Sequence, residues 1–109
     1  MNKPDASDKG QIKKSISRIR KMEKILDNLN ALMSSLENDL NSKVNVKRFL
    51  AYQKKVIRLE NYYSGPEWKK DFELDEQGAF PPSLKRGVLS EDGIYDALEK
   101  NKELMAKIA

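Results

Sequence analysis

The sequence predicts an all-α protein. Its spine is a long antiparallel helical hairpin, with a short third helix, a Pro/Gly-containing loop and a C-terminal helix packed on it. Three observations lead there. Ile12, Ile19, Met22, Leu26, Leu29, Met33, Leu36 and Leu40 hold heptad spacing, with steps of three and four from Ile19 onward and only Ser15 interrupting. Apolar residues at that spacing make one stripe along a helix, a seam for another helix. A second seam follows in Phe49, Tyr52, Val56, Leu59 and Tyr63. Finally, no Gly or Pro lies between Gly10 and Gly65, so neither strong helix breaker interrupts that stretch.

Taken in order, residues 1–10 read as a flexible polar arm with a helix cap near Ser7 or Asp8, and residues 11–109 as a single helical domain. The first helix runs over about 11–41 and would be roughly 45 Å long. Ile25 and Leu32 widen its seam. Asn41, Ser42 and Asn45 compete for backbone hydrogen bonds and mark a tight connection. The second helix covers about 46–63 and returns antiparallel, with position 20 opposite position 64. Leu29 and Leu59 are expected in the core. Ser64 and Glu67 have capping-box spacing, and Pro66 suits the first turn of a third helix over 66–76, with Trp68 and Phe72 on one face. Gly78 ends it. Residues 77–89 form a loop, and Ser90 caps a last helix with Glu91 and Asp92 in its first turn. Ile94, Leu98, Leu104, Met105 and Ile108 would face the hairpin.

The composition narrows the function classes. A chain of 109 residues fits one domain that buries roughly two thirds of its unfolded surface. Charged residues make up 35%, and mean hydropathy is −0.75. The periodic apolar residues nevertheless argue against general disorder. There is no Cys, so disulfides and thiolate chemistry are excluded, and no His, which removes the commonest general base and transition-metal ligand. Residues 1–10 lack the apolar core of a signal peptide, and no apolar run reaches membrane-spanning length. A cytoplasmic location with no membrane association is expected. Charge is uneven: residues 1–60 carry 14 Lys/Arg against 7 Asp/Glu, and residues 61–109 carry 7 against 10. The halves can attract each other or present faces of opposite sign.

Tyr62-Tyr63-Ser64, Glu67-Trp68, Asp71, Asp75-Glu76, Gly78, the run Leu84 to Asp92 and Ile94-Tyr95-Asp96 form a recognisable pattern. With the opening helix around Ile19 to Glu23, it resembles a family of short bacterial helical proteins, a domain of unknown function with a YYxxxEWxxD…LKRGVLSEDxIYD-like pattern. The resemblance covers about residues 15–104. It implies a small, mostly helical bacterial protein and no catalytic residue.

Several clusters invite a chemical reading. Asp71, Glu73, Asp75 and Glu76 do not match a calcium loop, because Glu76 and Pro82 fall where Gly and Glu are needed. Asp71 and Asp75, one turn apart, could hold Mg²⁺. The plainer reading is an acidic helix face that neutralises the basic start of the first helix. Lys43, Lys47, Arg48, Lys54, Lys55 and Arg58 face no carboxylate in their own segment. Lys47, Lys54 and Arg58 share a helix face and are candidate nucleic-acid contacts along a phosphate backbone. Lys85 and Arg86, with Gly87 before a helix N-terminus, are a candidate anion site. The structural alternative gives Gly87 an unusual backbone angle, with Val88 and Leu89 plugging the core.

The leading functional expectation is a non-enzymatic protein-interaction or scaffold module that uses the long amphipathic helix. A protein partner or homo-oligomer would then pack on its N-terminal third, at Ile12, Ile16, Ile19 and Met22, in coiled-coil fashion. The alternative is a nucleic-acid-associated protein acting through the basic second helix. No catalytic residue, cofactor, metal or small-molecule ligand is expected. No Gly-rich phosphate loop or serine motif is present.

Overall fold

The computed structural model describes residues 9–108. Five α-helices, one 3₁₀ turn and no strand occur among them. They are α1 (Lys9–Asn38), α2 (Lys43–Ala51), α3 (Gln53–Ser64), α4 (Pro66–Glu76) and α5 (Glu91–Ile108), with the 3₁₀ turn at Gly87–Leu89. The all-α expectation holds. The cap expected at Ser7 or Asp8 lies outside the described residues, whereas Lys9 and Gly10 belong to α1 rather than to an arm.

The described chain is a rod of 53 × 21 × 19 Å, organised on α1, which packs against every other helix and the 3₁₀ turn. The expected seam explains this. Ile19, Leu29 and Leu36 are fully buried, and Leu26 and Met33 nearly so. Ser15, the interruption in the pattern, is also fully buried, and its hydroxyl accepts from Arg18 Nη2 at 3.1 Å. Leu40 does not join the seam. It follows the end of α1 and is 41% exposed.

The hairpin turns slightly earlier than the sequence spacing implies. Ser42 Oγ accepts from the Asn45 N–H at 3.2 Å and starts α2, with Asn45 Nδ2 donating to the Ser35 carbonyl at 3.1 Å. The Tyr52 hydroxyl meets the Ile25 carbonyl at 3.4 Å. These pairs centre the turn on Asp39 and Leu40, so the return helix reaches further along α1. It is also divided at Tyr52, although the backbone there stays right-handed helical (φ −79°, ψ −10°). Gln53 Nε2 donates to the Phe49 carbonyl at 3.2 Å beside this irregularity. Phe49, Val56, Leu59 and Tyr62 form the buried face of the return helices, with Tyr62 rather than Tyr63 at its end.

The corner into α4 differs from the expected capping box. The N-cap is Gly65, without a side-chain bond; Ser64 Oγ instead donates back to the Glu60 carbonyl at 2.9 Å, and Glu67 turns to Arg18. Gly78 ends α4 with φ +73°, a left-handed backbone that only Gly adopts without a Cβ penalty. The following loop buries Phe80 and Leu84. Helix α5 then runs back over the hairpin, with Ile94, Ala97, Leu98 and Leu104 buried and Met105 and Ile108 half-buried. A reciprocal amide pair fixes it to α3: Gln53 Nε2 donates to Asn101 Oδ1, and Asn101 Nδ2 to Gln53 Oε1, both at 2.9 Å.

Candidate functional site

The most concentrated polar chemistry lies where α1, α3 and α4 meet. Asp71 is fully buried. Its Oδ1 accepts from Arg18 Nη2 at 2.6 Å, and its Oδ2 from Arg18 Nε at 2.9 Å and from the Tyr62 hydroxyl at 2.7 Å. The guanidinium and carboxylate thus pair through two parallel bonds, the strong geometry for this pair. Glu67 adds a second carboxylate at 3.3 Å from Arg18. The hydrogen bond to Asp71 outweighs burial and raises the Arg18 pKa. Burial, then the bond to Asp71, pushes the Tyr62 hydroxyl far above the ordinary tyrosine range. No buried side-chain polar atom among the described residues lacks a partner. The cluster is closed, and it locks three helices together without leaving a reactive group free.

A second lock holds the 3₁₀ turn. Val88 N–H donates to Glu23 Oε1 at 2.5 Å, and Trp68 Nε1 donates to the Val88 carbonyl at 2.8 Å. One residue is therefore gripped from α1 on one side and α4 on the other. Trp68 also meets Tyr63 edge-on, with centroids 5.2 Å apart, and stacks on Phe72 at 5.1 Å. Gly87 does not have a positive φ. It is Gly for a different reason: an added Cβ would lie 2.9 Å from Glu23 Oε1. Val88 and Leu89 are buried, as expected for core plugs.

The same geometry argues against a free anion site at Lys85 and Arg86. Lys85 pairs with Asp27 at 2.8 Å, which raises its pKa, and Arg86 Nε pairs with Asp75 Oδ1 at 2.6 Å. The anion taken up beside this turn is the carboxylate of Glu23. The Mg²⁺ reading of Asp71 and Asp75 meets the same obstacle, because each carboxylate already holds an arginine. The acidic face of α4 does meet basic residues of α1 and of the loop.

The expected partner surface on α1 is partly covered, with Ile16 lining an open groove beside Lys13, Ser17, Arg20, Lys21 and Lys24. Ile19 is fully buried, and Ile12, Ile16 and Met22 are half-buried against the core. The earlier hairpin turn is the cause: α3 and α4 reach the level of Ser15 and Arg18.

Five of the six cations of the return helices lie on two surfaces, and Arg48 lines a further groove with Asn28, Ala31, Leu32 and Ser35 of α1. Lys43, Lys47 and Lys54 lie on the outer face with Leu50 (46% exposed) and Ile57 (56% exposed). Arg58, one turn after Lys54 in α3, also lines a groove of about 300 Å³ with Lys55 of α3 and Lys21 and Lys24 of α1. No carboxylate lines it. Leu50 and Ile57 were missed in the sequence reading, yet their signal was there: Lys43, Lys47, Leu50, Lys54, Ile57 and Asn61 repeat at steps of four, three, four, three and four. Lys21 and Lys24 had no such signal, because only the packing of α1 beside α3 brings them to Arg58.

Among the described residues, no helix is long and apolar enough to cross a membrane. Comparison with curated proteins and with solved structures finds no match. The model of a domain of unknown function (DUF4298) matches residues 19–109. That span includes Arg20 to Glu23 of α1, the Tyr62–Asp71 corner and the Leu84–Asp96 segment, whose side chains bind the helices to one another, and the chain belongs to this family.

Proposed function

We propose that this protein is a small, non-enzymatic protein-interaction module whose contact surface is the outer face of α2 and α3. The observation that carries the reading is the exposure of Leu50 and Ile57 on one helix face, while Ile19, Leu26, Leu29, Met33 and Leu36 of the α1 seam are buried. Apolar side chains left in solvent within a regular pattern mark contact surfaces more often than isolated ones do. The distribution of polar chemistry supports binding over catalysis. Arg18, Glu23, Asp71 and Tyr62 are consumed in holding the fold, and each has its hydrogen-bonding partner within the chain.

Affinity capture from the native host tests this, with wild type beside a Leu50→Asp, Ile57→Asp variant. Both positions are exposed, so the variant should keep the circular dichroism of wild type. A discrete set of proteins retained in physiological salt by wild type and lost by the variant is the expected result. No protein held by wild type, or the same set held by both, would sink the reading.

The basic groove favours a second reading, association with nucleic acid through phosphate contacts. Lys21, Lys24, Lys55 and Arg58 converge there without a carboxylate, which is the charge arrangement that a phosphate backbone needs. Fluorescence anisotropy with a labelled oligonucleotide in physiological salt tests it. Submicromolar affinity, abolished when the four cations are changed together, would place this reading above the first.

A further inference from the structure

The geometry points to an acidic amphipathic helix of a partner protein as the occupant of the outer face of α2 and α3. The inference rests on the interaction-module reading and specifies the partner. Lys43, Lys47, Leu50, Lys54, Ile57 and Asn61 form a second heptad seam on the return helices, and all six are exposed. The first seam of these helices, through Phe49, Val56 and Leu59, is buried against the rest of the protein. The second points away from it. Its aliphatic residues occupy one seam position of the heptad, Leu50 and Ile57, and Lys47 and Lys54 occupy the other. The seam spans 43–61, roughly 27 Å of helix. That length offers a partner helix two aliphatic knobs and about two and a half heptads, enough for a weak and exchangeable contact.

The charge decides what can lie there. No Asp or Glu occurs from Leu40 to Leu59. Among the described residues, none of Lys43, Lys47 and Lys54 has a carboxylate within 4.0 Å, whereas Lys85, Arg86 and Lys100 each do. A lysine at a seam position lays its alkyl stem across the neighbouring aliphatic knob and needs a carboxylate for its ammonium. A second copy of this face would bring two sets of lysines without carboxylates together, and like charges brought together oppose association. A partner helix with Leu opposite Leu50 and Ile57, and Glu opposite Lys47 and Lys54, satisfies both halves of the pattern. Nucleic acid would satisfy the lysines but leave Leu50 and Ile57 without apolar cover. The heptad phase of the two aliphatic residues is what selects a helix over a general polyanion.

The test uses the full chain and synthetic peptides in physiological salt, read by isothermal calorimetry or anisotropy. The probe is a peptide of about three heptads with Leu at one seam position and Glu at the other. The controls are a scrambled peptide of the same composition, a version with Lys in place of Glu, and a single-stranded oligonucleotide. Wild type should bind the acidic heptad peptide at least about tenfold more tightly than every control. Leu50→Ser with Ile57→Ser should lose about tenfold of that affinity while leaving all charges in place. Lys47→Glu with Lys54→Glu should exchange the preference, taking the Lys peptide and releasing the Glu peptide. Far-UV circular dichroism confirms that both variants fold. Equal binding of the heptad and scrambled peptides, tighter binding of the oligonucleotide, or indifference to the Leu50 and Ile57 substitutions would each overturn the inference. If the acidic peptide fails while the host capture experiment yields partners through Leu50 and Ile57, the interaction module stands and this choice of partner falls. If host capture fails and the peptide alone binds, the partner chemistry stands without the biological role.

Discussion

Replacing Asp71 by Ala removes the acceptor that Arg18 and Tyr62 share. Tyr62 is 4% exposed, so water cannot readily replace the lost carboxylate at its hydroxyl. An unpartnered buried hydroxyl costs about 1–3 kcal/mol. Arg18 loses two charge-assisted bonds but keeps Glu67 at 3.3 Å, and 19% of its side chain remains exposed, so water offsets part of that loss. Together these place the cost at about 3–5 kcal/mol, the range for breaking one side of a buried pair. In a chain of this size, each kcal/mol moves the melting temperature by several degrees, so a fall of more than about 10 °C is expected. Guanidinium unfolding, followed by circular dichroism and by the fluorescence of Trp68, the single Trp, measures it. Replacing both partners, Arg18→Met with Asp71→Leu, should recover most of the loss, because no charge is then left unpaired. Tyr62→Phe should cost less in the Asp71→Ala background than in wild type. A loss below about 1 kcal/mol for Asp71→Ala, or equal costs of Tyr62→Phe in both backgrounds, would refute the coupled network.

Gly87→Ala should destabilise by about 1–3 kcal/mol, because its Cβ would displace the Glu23 carboxylate from Val88. The penalty should shrink in a Glu23→Ala background, as chemical denaturation would read. Leu29→Ala and Leu59→Ala, both at fully buried positions, should each cost about 2–5 kcal/mol; losses of a few tenths at both would mean that the core faces are misassigned. Alkaline pH should unfold the protein partly through Tyr62. Its folded pKa is raised from 10.0, so the stabilisation is fully present below about that pH. It is lost above that pH, by up to about 1.4 kcal/mol per pH unit, because only the unfolded chain releases the proton. Denaturation midpoints across the alkaline range should therefore fall less steeply in Tyr62→Phe. Tyr63, raised in the same direction by burial and by Glu91, Tyr95 and Asp92, leaves a residual slope.

The helices were legible because their signals are local. A stripe from Ile19 to Leu36, Pro66 at the start of α4, Gly78 past its end and Ser90 before α5 each act through neighbours a few residues away. The same holds for the outer seam of α2 and α3, which is written in Lys43 to Asn61 by spacing alone. Exposure was not legible, since a heptad stripe looks the same whether the fold covers it or leaves it open. The long-range locks were not legible either. Asp71 could have been a surface acid or a metal ligand until α1 brought Arg18 to it across 53 positions of sequence. Glu23 read as one more charge on a helix until the 3₁₀ turn placed the Val88 N–H against it. By itself, then, the sequence determined which segments are helical and which faces are apolar, because propensity and periodicity act within a few turns of chain. Only the tertiary structure decided which stripe is core and which is surface, and which charges are consumed. Those outcomes depend on how the helices pack: the hairpin turn brought α3 and α4 to the level of Ser15 and Arg18, and the burial of Phe49, Val56 and Leu59 left Leu50 and Ile57, on the opposite face, in solvent.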